Sequence, residues 1–153
     1  MSDHICLMSN GKIEQIGTPS ELYFAPTTKF AADFLGESNI LPARVGKDGR
    51  ALTVAECVEI QLDALPAGAA DAAAIMLRPE MICFSQGADA GRFTFDATVE
   101  EIIFAGSVTN VYTRLKTGEQ VIFKRLTDGE AASLQKGQQV RLAARYADIV
   151  TLR

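Results

Sequence analysis

The chain has 153 residues, 48% of them hydrophobic and 22% charged, a globular composition with length for one domain or a small domain plus an appended piece. Fifteen Lys and Arg against nineteen Asp and Glu leave a net charge of −4, which argues against a general nucleic-acid binder. No apolar run reaches the roughly 18 residues of a bilayer-spanning helix, and the single histidine, His4, excludes His-based triads and multi-histidine metal sites.

The first residues, Met1 to His4, have neither a basic stretch nor an apolar one, so no signal peptide is expected. Ile5-Cys6-Leu7-Met8 and Lys12-Ile13-Glu14-Gln15-Ile16 flank Asn10-Gly11, the strongest short-range hairpin signal there is. Gly17 closes the second strand. Thr18 is placed as an N-cap, with Pro19 in the first turn and Glu21 three residues on, a capping box. This short helix runs over 19–24 and breaks at Ala25-Pro26. A second helix starts at Thr27 or Thr28, with Phe30, Ala31, Phe34 and Leu35 as its buried face. Gly36 ends it as a C′ glycine. Gly11, Gly17 and Gly36 are all read as turn or cap glycines supplying positive φ.

Beyond residue 37 the pattern changes to short strands separated by glycine turns. Strands are expected at 39–46 and 50–55 around the Lys47-Asp48-Gly49 loop, then at 58–62. The alanine-rich 65–74 stretch, with Pro66 and Gly68, reads as a surface loop. Residues 74–78 form a strand that Pro79 ends, since proline cannot donate to the ladder. The longest strand spans 92–104. Phe93, Phe95, Ala97 and Val99 alternate on one face, and Ile102 and Phe104 continue out of phase. One extra residue at Glu100-Glu101, a β-bulge, restores the register. Strands at 108–116, 119–126, 139–144 and 149–152 complete a mainly β chain with helix almost confined to 19–36. Many short strands with bulges indicate a barrel or sandwich.

No catalytic constellation stands out. Gly11-Lys12 fails as a phosphate-cradling loop, because Cys6 and Ile13 stand where that loop needs glycine and Ser or Thr. Cys6, Cys57 and Cys83 show no C-x-x-C spacing and are odd in number, which suits idle thiols in a reducing, cytoplasmic setting. Phe93, Phe95 and Phe123 beside basic residues resemble a base-stacking surface, but Phe93 and Phe95 share the face of Val99, which turns them towards the core.

Three motifs carry a family resemblance. Residues 10–23, Asn-Gly-Lys-Ile-Glu-Gln-Ile-Gly-Thr-Pro-Ser-Glu-Leu-Tyr, resemble the end of the nucleotide-binding domain in ABC importer ATPases of the maltose, polyamine and iron subfamily. Residues 30–39, Phe-Ala-Ala-Asp-Phe-Leu-Gly-Glu-Ser-Asn, are similar to the lead into that subfamily's extra C-terminal domain. Leu77-Arg78-Pro79-Glu80 resembles the Arg-Pro-Glu signature within it.

That resemblance implies an OB-like TOBE barrel over 37–153, preceded by an N-terminal β-hairpin and short helices over 1–36 that form the tail of the ATPase domain. The P-loop, signature motif, Walker B carboxylates and switch histidine then lie upstream. ATP and magnesium belong to that missing part, and no catalytic, cofactor or metal residue is expected here. The implied role is regulatory and dimer-stabilising. Its partners would be a second copy and, through the parent ATPase, the importer's permease subunits, on the inner face of the membrane without insertion into it. A small-ligand or oxyanion sensor is the alternative, and an OB-fold nucleic-acid binder a more distant one. Arg78 and Glu80 are read as fixing a barrel corner through a local ion pair or carbonyl contacts, and alternatively as candidates for an interface between barrels. Ser107, Thr109, Asn110 and Arg114 around Gly106 could line a ligand site. Gly11, Gly17, Pro19, Gly36, Asn39 and Pro79 are expected to be structural.

Overall fold

The computed structural model describes residues 2–65 and 67–153; Met1 and Pro66 lie outside them. Strands β1 (Ile5–Ser9) and β2 (Lys12–Gly17) pair antiparallel. Asn10 and Gly11 turn between them at φ of 51° and 74°, the two positive values that a type I′ turn requires. Helix α1 (Pro19–Phe24) begins with the expected capping box. Glu21 N donates to Thr18 Oγ1 at 3.2 Å, and Thr18 N donates to Glu21 Oε2 at 2.8 Å. Helix α2 (Lys29–Phe34) starts at Thr28, whose Oγ1 accepts from Ala31 N at 3.1 Å.

The buried face of α2 keeps Ala31 of the expected set, with Leu35 half-buried, but has Ala32 in place of Phe30 and Phe34. Ala31 and Ala32 are fully buried, while Phe30 and Phe34 stack on each other at the exposed surface, ring centroids 5.9 Å apart. The helix is wedged between two surfaces. Ala31 packs with Leu7 and Leu22 of the hairpin unit, and Ala32 lies against Met76 and Leu152. Only small side chains allow contact on both sides at once.

Two five-stranded antiparallel sheets make up the rest. One has the order β12 (Val150–Leu152), β6 (Ala74–Leu77), β3 (Asn39–Val45), β4 (Ala51–Val54), β5 (Val58–Gln61). Strand β3 serves both halves of it, pairing β6 through residues 39–42 and β4 through residues 43–45. The other has the order β10 (Gln120–Leu126), β9 (Val108–Arg114), β8 (Arg92–Ala105), β11 (Gln139–Arg145), β7 (Cys83–Phe84). One core joins the sheets, with Leu52, Ile60, Ile75 and Leu77 facing Phe95, Val111, Phe123 and Leu142. Each such side chain, when fully buried, contributes roughly 1.5–3 kcal/mol.

Strand β8 carries the expected bulge. Val99 opposes Thr113 and Glu101 opposes Tyr112, which leaves Glu100 as the extra residue. Before it Phe93, Phe95, Ala97 and Val99 are buried. After it Ile102 is half-buried and Phe104 is exposed, so the strand end runs clear of the core. Two other details depart from the expectation. The 65–74 stretch is not wholly superficial, because Ala69 and Ala72 are buried. Strand β7, two residues pairing with Leu142 and Ala143, is too short to leave a periodic signal. A four-residue helix, α3 (Gly129–Ala132), adds to the N-terminal pair; Asp128 caps it, accepting from Ala131 N at 2.9 Å.

Candidate functional site at the Arg78 joint

Pro79 opens a 3-10 turn at the end of β6 and keeps Arg78 extended, at φ −72° and ψ 138°. The Arg78 side chain is 3% exposed and reaches into the N-terminal unit. Nη2 donates to the Tyr23 carbonyl at 2.7 Å, and Nη1 donates to Ser38 Oγ at 2.6 Å. Nη1 also stands 3.4 Å from the carbonyls of Ala32, Gly36 and Glu37. The guanidinium carbon lies 4.1 Å from the centroid of the Tyr23 ring, within cation–π range. Among the described residues no carboxylate pairs with Arg78. Its charge is instead met by carbonyls at the C-terminal ends of α1 and α2, where peptide dipoles gather partial negative charge.

Glu80, exposed, accepts a hydrogen bond from the Tyr23 hydroxyl. That bond, then burial and the carboxylate's charge, hold the Tyr23 phenol above its usual pKa, with Arg78 pulling the other way. Arg78 and Glu80 thus sit at the joint between barrel and N-terminal unit: Arg78 makes carbonyl contacts, but to the N-terminal unit and not within a barrel corner, and no ion pair with Glu80 forms among the described residues. The connecting residues are pinned as well. Gly36 turns at φ +141°, Glu37 pairs with Lys124 at 2.7 Å, and Asn39 is buried against β10. Gly17 corrects its expected role. Its φ is not positive, but a Cβ there would come within 2.8 Å of Cδ1 of the fully buried Leu22, so a larger residue would force Leu22 to shift.

The candidates around Gly106 do not converge. Ser107 is exposed in the turn, and Thr109 is buried with its hydroxyl 2.9 Å from that of Thr127. Asn110 points to the opposite face of β9, its buried Oδ1 without a partner. Arg114 lies about 16 Å of strand beyond Thr109, where it pairs with Glu100 across the bulge and donates to the Gly118 carbonyl. Arg114 holds the Glu100 carboxyl below its usual pKa. Strand alternation scatters residues that a linear reading grouped.

A cavity of about 450 Å³ escaped the sequence reading. Ile82, Val108 and Leu126 form its apolar wall, with Lys124, Arg125, Glu80 and Asp128 at the rim. Lys124 is paired with Glu37, and Arg125 lies 3.5 Å from Glu130 with its guanidinium 5.4 Å from the Phe84 ring centroid. Among the described residues no group of three or more His, Cys, Asp or Glu is placed to hold a metal ion, and no helix is long and apolar enough to cross a membrane.

Comparison with known proteins follows this architecture. The TOBE domain model matches residues 75–152. Over 149 residues the chain is 32% identical to the spermidine/putrescine import ATP-binding protein PotA of Rubrobacter xylanophilus, covering 94% of this chain and 39% of that protein. It is 36% identical over 146 residues to the sn-glycerol-3-phosphate import ATP-binding protein UgpC of Chromohalobacter salexigens, covering 94% and 38%. It is 42% identical over 120 residues to the Fe(3+) ions import ATP-binding protein FbpC 2 of Rhizobium meliloti, covering 69% and 29%. The chain therefore spans about two fifths or less of the length of these relatives. Among solved structures, the molybdate-bound cytoplasmic molybdate-binding protein ModG superposes with a TM-score of 0.54 at 11% identity, over 76% of this chain and 96% of that one. That likeness concerns the fold, and it agrees with an OB-like barrel. By its motifs, its barrel and a family match that takes in half of its length, the chain belongs to the TOBE domain family and is homologous to the C-terminal region of ABC importer ATP-binding subunits.

Proposed function

We propose that the chain is the regulatory and dimer-stabilising C-terminal module of an ABC importer ATP-binding subunit, with residues 1–36 the tail of its ATPase domain and residues 37–153 its barrel. The observation that carries this reading is the extent of the alignment. Identity to the import ATP-binding proteins covers 94% of the chain, well beyond the 75–152 stretch of the barrel family. The surface of residues 5–36 supports it. Ile13, Ile16, Phe24 and Phe34 are all more than half exposed, an apolar face suited to a larger body.

The module works by position and not by chemistry. Contact between two barrels keeps two ATPase subunits at high effective concentration while their nucleotide sites open and close. ATP and magnesium bind in the parent's upstream domain, and the assembly sits on the cytoplasmic face of the membrane through its permease subunits. Relatives for polyamine, glycerol phosphate, sulfate and ferric ion import align at 31–42% identity, which favours solute selection elsewhere in the importer. Analytical ultracentrifugation of the chain tests the dimer role. Self-association between about 1 μM and 1 mM is expected for a small polar contact. A strict monomer at millimolar concentration removes that role.

A second reading, a sensor of small anions, draws on the cavity beside Lys124 and Arg125 and on a fold shared with a molybdate-binding protein. Calorimetric titration with molybdate, sulfate and spermidine decides between them, since saturable heat with one of these is required of a sensor. Base stacking finds no support in the aromatic residues, because Phe93, Phe95 and Phe123 are buried.

A further inference from the structure

We propose that Arg78 is a positioning residue that locks the N-terminal unit onto the barrel, so that hairpin, helices and barrel turn as one rigid body. The observation is where its hydrogen bonds go. The carbonyls of Tyr23, Ala32 and Gly36 lie across the joint in the N-terminal unit, and the Glu37 carbonyl and Ser38 hydroxyl lie in the connector just ahead of β3. None belongs to a strand of the barrel that carries Arg78. A residue that merely stabilised the barrel would bond within it, and an apolar side chain would fill the same space without a buried charge.

The chemistry of the group explains the choice. A guanidinium is a rigid planar fork, so one donor on Tyr23 and the other on Ser38 fix both the distance and the direction of α1 and α2 relative to β6. A lysine ammonium presents a single point and cannot hold both partners in one plane. Tyr23 to Glu80 and Glu37 to Lys124 are each partly exposed, and exposed pairs hold weakly. The packing of Ala32 on Met76 and Leu152 is apolar and carries no directed bond between the side chains. Arg78 combines burial with two short bonds directed at Tyr23 and Ser38.

The clasp goes beyond the importer reading and uses it only for its consequence, since movement of an attached ATPase body would then reach the barrel without slack. It is tested on the full chain. With Cys57→Ser and Cys83→Ser in place, spin labels are attached at exposed Cys6 in the hairpin and at Asp96→Cys on β8, and their distance distribution is measured by pulsed electron resonance. Amide exchange is followed in parallel. One narrow distance is expected with Arg78 present. Arg78→Lys and Arg78→Met are expected to broaden it about twofold or more and to speed exchange of residues 19–38 about tenfold, with exchange of residues 92–145 changed less than about twofold. Tyr23→Phe, which keeps the carbonyl, is expected to leave the width unchanged. Should an Arg78 variant fail to fold, Ser38→Ala removes the 2.6 Å partner, together with that hydroxyl's own bond to the Ala32 carbonyl, and carries the same expectation at smaller size. An unchanged width in these variants overturns the proposal. So does exchange that rises equally in the barrel, or a broadening by Tyr23→Phe as large as that by Arg78→Lys. Failure of the importer reading, a strict monomer in the centrifuge, leaves these outcomes unaffected.

Discussion

Asn39 and Ile122, 83 positions apart, are joined by two reciprocal hydrogen bonds. Asn39 Nδ2 donates to the Ile122 carbonyl and Ile122 N donates to Asn39 Oδ1, both at 2.7 Å. Strand β10 is the outer strand of its sheet, so this amide occupies backbone groups that would otherwise face an incoming strand. Asn39→Leu leaves both groups without their partner. A loss of about 1–3 kcal/mol is expected from two part-buried backbone groups that lose their partner, measured by urea unfolding, together with concentration-dependent aggregation through the uncovered edge. Asn39→Asp is expected to keep the Ile122 N bond and lose the other, at an intermediate cost.

The capping box makes a prediction with a pH sign. The Glu21 carboxyl is held below its ordinary value of 4.5, first by the backbone N–H of Thr18 and then by the Thr18 hydroxyl. A carboxyl more acidic when folded stabilises the helix fully above about pH 4.5, and that contribution disappears as the pH falls through the folded value. Helix α1 should therefore fray in acid before the barrel does, as followed by amide exchange of residues 19–24. Thr18→Ala, which removes the cap oxygen, should cost about 1 kcal/mol and make the Glu21 titration more ordinary by NMR.

Phe123 is fully buried, and Phe84 meets its ring edge to face at 5.4 Å. Phe123→Ala removes the largest side chain at the centre of the joint core. A loss of about 3–5 kcal/mol is expected, enough to unfold a marginal domain of this size. Phe123→Leu, closer in volume, should cost distinctly less in the same urea titration.

Phe34 is 63% exposed and belongs to the apolar face of the N-terminal unit. Phe34→Ser should alter stability by less than about 0.5 kcal/mol, while lowering dye binding to exposed apolar surface and raising solubility. If the face is covered by an ATPase body in the parent subunit, the same substitution there should instead destabilise the domain contact.

Local chemistry determined much of this molecule. Asn10-Gly11 specified its turn, Thr18 and Glu21 their capping box, and Glu100 the bulge in β8, because each outcome depends on residues within about four positions. The alternation of Phe93, Phe95, Ala97 and Val99 named the buried face of β8 for the same reason. Other features are set only when distant surfaces meet. Arg78 finds its partners 40 to 55 positions away, and nothing near it in the chain announces two helix ends. Ala32 joins Ala31 on the buried face of α2 because the helix is pressed from two sides, where Phe30 and Phe34 are too large to fit. Gly17 is constrained by Leu22 crossing over it and not by its own dihedral angles. The residues after Gly106 are neighbours along the strand, yet the pleat sends Thr109 inward and Asn110 outward, so no common site forms. Period and capping are properties of a segment, whereas a joint, a cavity or a shared face exists only once two segments are packed together.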